Sequence, residues 1–211
     1  MKPLAILGGT FDPVHLGHLR VALEAAEALD AEVRLVPAKL PPHRPQPVAS
    51  APQRVALLRA ALAGQERLAL DTRELDRDGP SFTLDTLADL RREIGPQRPL
   101  VLLLGADAFA GLPTWHRWRD LSGLAHLVVL TRPGHAPPLP GELREFAAAR
   151  ETTDVRALQD QASGKILHLA VTPLEISASR IRALLREGRD PRWLLPDALL
   201  AEPVLLAPYR P

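Results

Sequence analysis

The sequence predicts an α/β fold in which a doubly wound parallel sheet carries helices on both faces. Short apolar runs alternate with amphipathic segments along most of the chain, which is the pattern of consecutive β-α-β units. Residues 100–104 are apolar at every position, as expected of a central strand that is buried on both sides. A glycine-rich turn follows the first apolar run, and sheets of this class bind ligands at such turns.

The individual elements follow from the same patterns. Strands are predicted where leucine, valine, isoleucine and alanine dominate a short run, over residues 4–7, 32–36, 67–71, 100–104, 126–130 and 166–170. Helices are predicted where apolar residues recur at a spacing of three or four, over residues 16–29, 52–63 and 82–94 and after Ser177. Proline-rich segments predict loops over residues 37–52 and 134–140. Because no repeat or linker interrupts this series, we expect residues 1–211 to form a single domain.

Composition excludes several classes of protein. The 211 residues are 46% hydrophobic, enough for a sizeable core. With 26 basic and 25 acidic residues, the net charge is +1, so no overall basic field indicates binding to nucleic acid. The absence of cysteine excludes disulfides and zinc-thiolate sites. No signal segment is evident, and no apolar run approaches the roughly 20 residues of a membrane helix. We therefore expect a cytoplasmic protein without membrane contacts; a homo-oligomer remains open.

The turn after the first strand has the features of a phosphate site. Residues 8–18 read Gly-Gly-Thr-Phe-Asp-Pro-Val-His-Leu-Gly-His and lead into the first predicted helix. Unpaired backbone N–H groups and the positive end of the helix dipole meet at such a turn. His15 and His18 lie three residues apart, so both rings can project toward one anion as cationic donors. Gly17 is expected to leave space for a ligand to approach the backbone.

A metal site and plain surface histidines are the alternatives for this histidine pair. A zinc site needs further cysteine, histidine or carboxylate ligands at suitable spacing, and none is adjacent in the sequence. The turn also lacks G-x-G-x-x-G and G-K-[ST], the signatures of dehydrogenases and P-loop kinases. Phosphate binding of another kind is therefore the favoured interpretation.

Residues 176–182 predict a second phosphate-binding element. Ser177 and Ser179 can cap the helix that follows, which leaves N–H groups and hydroxyls available to phosphate oxygens. Arg182 lies one turn into that helix, where its guanidinium could reach the same anions. The alternative is an ordinary capped helix with an arginine that faces solvent.

Five stretches carry a family resemblance, in order along nearly the whole chain: residues 8–18; Pro-Pro-His-Arg at 41–44; Ser-Phe-Thr at 81–83; Gly-Ala-Asp at 105–107 with Pro-Thr-Trp at 113–115; and Ile-Ser-Ala-Ser-Arg-Ile-Arg at 176–182. The first and last resemble the signature of the nucleotidyltransferase superfamily of adenylyl- and cytidylyltransferases. The middle three resemble the bacterial nicotinate-nucleotide adenylyltransferases. The resemblance implies a Rossmann-like fold of the nucleotidyltransferase type.

The resemblance also implies a reaction in NAD biosynthesis. ATP and nicotinate mononucleotide would give nicotinate adenine dinucleotide and pyrophosphate, by direct attack on the α-phosphorus without a covalent intermediate. His15 and His18 would be catalytic, and Mg²⁺ would be held mainly by the substrate phosphates, with no protein ligand. The residues implied for ATP binding are Gly8, Gly9, Thr10, Phe11, His15, His18, Gly105, Asp107, Ile176, Ser177, Ser179 and Arg182.

For the acceptor, the resemblance implies an aromatic and basic set of residues. Trp115 would stack on the nicotinate ring, and Thr83 would help to receive its carboxylate at a helix N-terminus. The basic residues implied at the substrates are His43, Arg44 and Arg132.

Two positions depart from the family pattern, and several keep a structural alternative. Phe82 stands where the family usually has tyrosine, so any hydrogen bond from that hydroxyl is lost. His116 replaces the tyrosine often found after the tryptophan. The structural alternatives are that Trp115 packs against apolar residues beneath its loop, that Asp107 is a helix N-cap, and that residues 81–83 only cap a helix. The basic pair at 43–44 could be a solvated loop.

Three other functions stay open at this stage. The acceptor could instead be phosphopantetheine or nicotinamide mononucleotide, although a pantetheine arm needs no aromatic partner such as Trp115. A regulatory module could retain the nucleotide pocket without turnover. A nucleic-acid binder is disfavoured because the charge is nearly balanced and no basic stripe is present.

Overall fold

A parallel sheet forms the centre of the computed structural model, which describes residues 1–39, 46–79, 81–132, 134 and 137–211. Within these residues the sheet has seven strands in the order β3-β2-β1-β4-β5-β7-β6. Their bounds are β1 Leu4–Gly9, β2 Glu32–Pro37, β3 Leu68–Leu70, β4 Leu100–Gly105, β5 His126–Thr131, β6 Glu151–Thr152 and β7 Ile166–Ala170. Every neighbouring pair is parallel, which confirms the predicted fold class.

Helices connect the strands and cover both faces of the sheet. They are α1 Leu16–Ala28, α2 Ala51–Leu62, α3 Thr83–Ile94, α4 Ala106–Ala110, α5 Leu121–Leu124, α6 Gly141–Ala148, α7 Ala178–Arg186 and α8 Asp197–Ala201. Short 3-10 segments lie at Leu112–Thr114, Trp118–Asp120, Val155–Leu158 and Pro203–Tyr209. Among the described helices, none combines the length and the apolar character needed to cross a membrane.

Two apolar layers enclose the sheet because successive strand residues point to opposite faces. Ala5 and Leu7 pack on one face with α1, α2, α7 and the C-terminal segment, whereas Leu4 and Ile6 pack on the other face with α3 to α6. The central strand β4 is buried at residues 100–104, as its continuous apolar run predicts.

The differences from the predicted elements have simple local causes. Strand β6 has two residues, both polar or charged, so no apolar pattern marks it. Helices α4, α5 and α8 have four or five residues, too few for a helical period to show. Helix α2 begins inside the predicted loop because Ser50 caps it and Pro52 occupies a first-turn position, where proline is tolerated.

The strand order creates a switch point between β1 and β4. From β1 the chain moves outward through β2 and β3, and it then returns to β4 on the other side of β1. The two central strands are paired from Leu4 with Leu100 to Leu7 with Leu103, so their glycine-containing ends lie at one edge. Ligands of doubly wound sheets bind in the crevice at this position.

The opposite edge of the sheet is held by buried polar side chains. His126, fully buried at the start of β5, contacts the carbonyl of Gln161 at 2.9 Å through Nε2 and accepts the N–H of Lys165 at 3.0 Å through Nδ1. The guanidinium of Arg91 donates to four carbonyl oxygens around the same loops, those of Gly95, Arg98, Leu124 and Ala162. These bonds fix the loops far from the switch point.

This arrangement predicts a loss of stability at mildly acidic pH. Burial lowers the pKa of His126 below its ordinary value, so the unfolded chain binds a proton that the folded chain rejects. The free energy of unfolding should therefore fall as pH falls below about 6.5, the pKa of an unperturbed histidine. Urea unfolding between pH 7.5 and 5 measures this slope. A His126→Phe variant should be less stable but show a shallower slope; an unchanged slope would contradict the assignment.

Candidate active site

The first turn of the chain is shaped by close contacts around Phe11. Phe11 adopts a left-handed backbone conformation, with φ of 50°, and its ring is buried. A Cβ atom at Gly9 would lie 2.9 Å from that ring, so only glycine fits at this point without a shift. The peptide bond between Asp12 and Pro13 is cis. The turn thus ends β1 and delivers the chain to the N-terminus of α1.

His15 and His18 meet at the N-terminus of α1, as their spacing predicts. Their ring centroids are 3.6 Å apart with an interplanar angle of 22°, and the Phe11 ring meets His18 edge-on at 5.0 Å. The backbone N–H of His15, the N-cap residue, donates to Nδ1 of His18 at 3.3 Å. When the His18 ring is neutral, its hydrogen therefore lies on Nε2, which can donate to an anion.

The expectation that both histidines are cationic donors is wrong for His15 in the unliganded protein. Burial, with a smaller contribution from the positive charge of Arg132, lowers the pKa of His15 to about 4. Its Nδ1 atom is buried and has no hydrogen-bond partner among the described residues. At neutral pH His15 is therefore a neutral side chain that can offer an N–H group.

Gly17 packs closely against the ring of His15, and the expectation that it also leaves space for a ligand stays a prediction. A Cβ atom at this position would lie 3.0 Å from Nδ1 of His15, so glycine makes room for the buried imidazole. The same Cβ would lie 3.5 Å from the side chain of Ile176. The predicted nucleotide-binding residue Ile176 thus sits against the start of α1, and the two predicted phosphate elements are adjacent.

Helix α7 brings the serines and the arginine predicted from the sequence to this turn. Ser177 is the N-cap, and its hydroxyl accepts the N–H of Arg180 at 3.2 Å, as predicted for a cap. Arg182 donates through Nη1 to the carbonyl of Asp12 at 2.6 Å and through Nη2 to the hydroxyl of Ser179 at 3.2 Å. Its guanidinium is therefore fixed beside the first turn and is not a freely solvated side chain.

A buried carboxylate, that of Asp12, organises the underside of the turn. Its oxygens accept the N–H groups of Val48 at 2.8 Å and Ala49 at 3.0 Å and the hydroxyl of Tyr209 at 2.8 Å. Burial, followed by the nearby Asp12 charge, raises the pKa of Tyr209, so this hydroxyl stays protonated as a donor. Residues almost two hundred positions apart in the sequence thus meet at one carboxylate.

Gly105 and Asp107 lie at the other side of the switch point. Gly105 ends β4 and is itself the N-cap of α4. Asp107 lies in the first turn of α4 and not at its cap, so the N-cap explanation for this aspartate is wrong. An acidic side chain in a first helical turn interacts favourably with the helix dipole.

The predicted acceptor residues form a second group. Thr83 is the first residue of α3, and Trp115 is half-buried against the core after the 3-10 segment that follows α4. The Phe82 and His116 rings join the two segments, with centroids 4.6 Å apart. The N-cap of α3 is Phe82, without a side-chain cap bond. Ser81 lies one residue before that cap, and its hydroxyl accepts from Arg77 at 2.6 Å.

The remaining predicted residues are only partly described. Arg132 is exposed just after β5, and its effect on His15 shows that its charge lies near the histidine pair. His43 and Arg44 lie outside the described residues. Within the described ranges, no group of three or more histidine, cysteine, aspartate or glutamate side chains could hold a metal ion.

Comparison with known proteins decides the family. A family model described as cytidylyltransferase-like matches residues 6–184. A relative from Pseudomonas syringae pv. tomato, named probable nicotinate-nucleotide adenylyltransferase, is 51% identical over 201 residues that cover 95% of this chain and 90% of the relative. A relative of the same name from Aeromonas hydrophila is 50% identical over 198 residues, covering 93% and 92%. This chain belongs to the nicotinate-nucleotide adenylyltransferase family.

Solved structures agree with this family at the level of the fold. The structure of Plasmodium falciparum nicotinic acid mononucleotide adenylyltransferase complexed with NaAD has a TM-score of 0.68 and 15% identity, covering 97% of this chain and 98% of that chain. Its complex with APC has a TM-score of 0.66 and 16% identity, with the same coverage. The likeness of the fold therefore extends over nearly the whole length of both chains.

Sequence reasoning gave no role to three buried polar residues of this family member: Asp12, Arg54 and Tyr209. Asp12 lies inside the conspicuous first motif. Arg54 lies on the buried face of α2 together with Leu57 and Leu58, which follow it by three and four residues. An arginine at a position where this spacing predicts an apolar side chain is the signal that could have identified Arg54. Tyr209, the only tyrosine, has no local pattern around it.

The unusual environment of His15 can be measured directly. We expect its imidazole to titrate with a pKa of about 4 in the unliganded protein, detected by NMR of the ring C–H signals and assigned with His15→Asn. Removing the positive charge in Arg132→Gln should raise that pKa, whereas Arg119→Gln, a change at an exposed arginine paired with Glu142, should not. A wild-type value near 6.5 would contradict the buried, neutral state.

Proposed function

We propose that this protein transfers the adenylyl group of ATP to nicotinate mononucleotide, giving nicotinate adenine dinucleotide and pyrophosphate. The observation that carries the proposal is the convergence of the stacked His15 and His18 rings with Arg182 at a glycine-rich helix N-terminus. Backbone N–H groups, imidazoles and a guanidinium are suited to bind polyphosphate. The acceptor is inferred from the names of relatives about 50% identical to this chain.

The proposed mechanism is direct displacement at the α-phosphorus. A phosphate oxygen of the mononucleotide attacks, the new P–O bond forms on one side, and the bond to the β-phosphate oxygen breaks on the other. The protein needs no nucleophile of its own, so catalysis consists of alignment and stabilisation of negative charge. His18 would donate from Nε2, His15 would donate as a neutral imidazole, and the Arg182 guanidinium would supply positive charge.

The other residues implied for ATP surround the same turn. Gly8 and Gly9, at the end of β1, would let the nucleotide approach the backbone, while Phe11 supports His18 from below. Ser177 would hold the start of α7 in place. The remaining assignments to ATP that we propose are Thr10, Gly105, Asp107, Ile176 and Ser179.

Magnesium is proposed to arrive with the nucleotide. The groups around the turn are mainly N–H and guanidinium donors, and the Asp12 carboxylate already accepts three hydrogen bonds. Mg²⁺ prefers oxygen ligands and often retains water, so phosphate oxygens of ATP would be its main ligands. When bound, the ion would reduce the negative charge of the phosphates.

The acceptor is proposed to lie along the segments joined by Phe82 and His116. Trp115 offers an aromatic surface for a pyridine ring, and the N-terminus of α3 at Thr83 favours a carboxylate over a neutral amide. The basic residues His43, Arg44 and Arg132 are proposed to contact the substrates. Because Phe82 has no hydroxyl, selection of the acid must come from the backbone and neighbouring groups.

Pyrophosphate release tests the reaction and its acceptor together. With ATP and Mg²⁺, we expect rapid release with nicotinate mononucleotide and much slower release with nicotinamide mononucleotide or phosphopantetheine. The dinucleotide product should be identified by mass spectrometry, with acceptor-free ATP as the control. Preference for another acceptor would overturn the assignment of substrate, and no release with any acceptor would overturn the reaction.

Trp115→Ala should raise KM for the mononucleotide more than it changes kcat. Aromatic stacking contributes about 0.5–1.5 kcal/mol, which corresponds to a rise of about two- to tenfold. The matched control is Trp193→Ala, since Trp193 is 76% exposed and is not implied in substrate binding. An unchanged KM together with a lowered melting temperature would show that Trp115 only packs against the core.

A further inference from the structure

Arg77, in the segment that follows β3, has no role in the proposed mechanism although its guanidinium is largely buried. Its side chain is 19% exposed. Nη1 donates to the hydroxyl of Ser81 at 2.6 Å and to that of Thr86 at 3.3 Å, and Nη2 donates to the Asp89 carboxylate at 2.6 Å. Because these partners lie before α3, in its first turn and further along it, one guanidinium spans the N-terminal part of the helix.

Further polar contacts hold this guanidinium and its segment in place. The carbonyl of Arg77 accepts a hydrogen bond from the ammonium group of Lys39. Thr86 is fully buried, and its hydroxyl donates to the carboxylate of Glu74 at 2.8 Å while it accepts from Arg77. A largely buried charge is stable only when it is paired and hydrogen-bonded, and Asp89 supplies the paired anion. The position of the guanidinium is therefore well defined.

The start of α3 lacks the side chain that usually fixes the start of a helix. Its N-cap is Phe82, which makes no side-chain cap bond within the described residues. A serine, threonine, aspartate or asparagine there would accept an N–H group of the first turn. With phenylalanine, no cap side chain occupies those N–H groups, which can then bind an anion. The bond from Arg77 to Ser81, one residue before the cap, restrains the chain in place of a cap.

This restraint lies next to both parts of the proposed acceptor site. Thr83, where the acceptor carboxylate is proposed to bind, comes two residues after Ser81. The ring of Phe82 contacts that of His116, with centroids 4.6 Å apart, and His116 directly follows Trp115. A displacement of the chain at the start of α3 would therefore disturb the helix N-terminus and its contact with the tryptophan segment together.

We propose that Arg77 is a positioning residue that sets the preference for an acid over an amide in the acceptor. It acts through Ser81, by holding the N-terminus of α3 where the N–H groups and the helix dipole meet the nicotinate carboxylate. The inference rests on the proposed function, which assigns nicotinate mononucleotide to this site. Because binding of a carboxylate depends on aligned N–H groups, a loosened helix start should weaken binding of the acid more than that of the amide.

Arg77→Lys and Arg73→Lys form a matched pair for the test. Both arginines lie in the segment after β3, both side chains are 19% exposed, and both pair with a carboxylate of α3. Arg73 reaches Glu93 near the C-terminal end of the helix, whereas Arg77 reaches Ser81 before its start. Lysine keeps the positive charge in both variants, but an ammonium group cannot span several partners as the planar guanidinium does.

Binding of the two acceptors gives the measurement. Nicotinate mononucleotide and nicotinamide mononucleotide are titrated separately, by calorimetry, into protein saturated with α,β-methylene-ATP. The ratio of their dissociation constants should favour the acid in the wild type and in Arg73→Lys, and this preference should fall about tenfold in Arg77→Lys, as expected when a charge-assisted hydrogen bond is lost. Affinity for the ATP analogue should be the same in all three proteins, whereas a general loss of structure would weaken binding of the analogue and of both acceptors.

Each outcome bears on the proposal. An unchanged preference in folded Arg77→Lys overturns it. If that variant does not fold, Ser81→Ala, which removes the hydroxyl that Arg77 holds, takes its place, and a wild-type preference in Ser81→Ala overturns the proposal. A wild type that binds the two acceptors equally overturns the proposal together with the assigned acceptor. A wild type that prefers the acid but releases no pyrophosphate refutes the reaction alone, and a lost preference in Arg77→Lys would then still support the positioning role.

Discussion

The structure of the site depends on one buried interaction, the Asp12 carboxylate with its three hydrogen-bond donors. A carboxylate in this position is stable only if its oxygens are satisfied, and the donors are the N–H groups of Val48 and Ala49, just before α2, and the hydroxyl of Tyr209. The carbonyl of the same residue receives Arg182 from α7. A single residue therefore fixes the relative positions of the first turn, the segment before α2, helix α7 and the C-terminal segment.

Around this anchor, hydrogen bonding and charge are divided between different side chains. His15 is held neutral by burial and by the charge of Arg132, although it stands where an anion is expected. The fixed positive charge comes from the arginines, whose guanidinium groups remain protonated throughout the physiological range. The imidazoles then contribute directed N–H groups. If phosphate binds at this turn as proposed, the guanidinium of Arg182 would supply positive charge, and His15 would supply a neutral N–H donor.

The sequence predicts the parts of the molecule that are governed by local patterns. The order of the long strands and helices follows from apolar periodicity, and the meeting of His15 with His18 follows from a spacing of three. The family follows from motifs that persist along the chain. Arg54 and Tyr209 could not be placed in this way, because their partners are distant in sequence and because a polar residue in a buried pattern does not reveal what it contacts. The sequence does not predict strand β6 or the shortest helices, because these elements are too short or too polar to show a periodic pattern of apolar residues. The assigned site roles, the single domain and the cytoplasmic location remain predictions.

The bond between Asp12 and Tyr209 spans 197 positions of the chain, and this has a consequence for synthesis on the ribosome. A growing polypeptide that has reached Arg182 already contains both histidines, all the strands described and the arginines that contact the turn. It still lacks the hydroxyl that completes the shell of the buried carboxylate. The shell of the Asp12 carboxylate is therefore completed only once the segment that carries Tyr209 has been synthesised, long after the residues of the first turn itself.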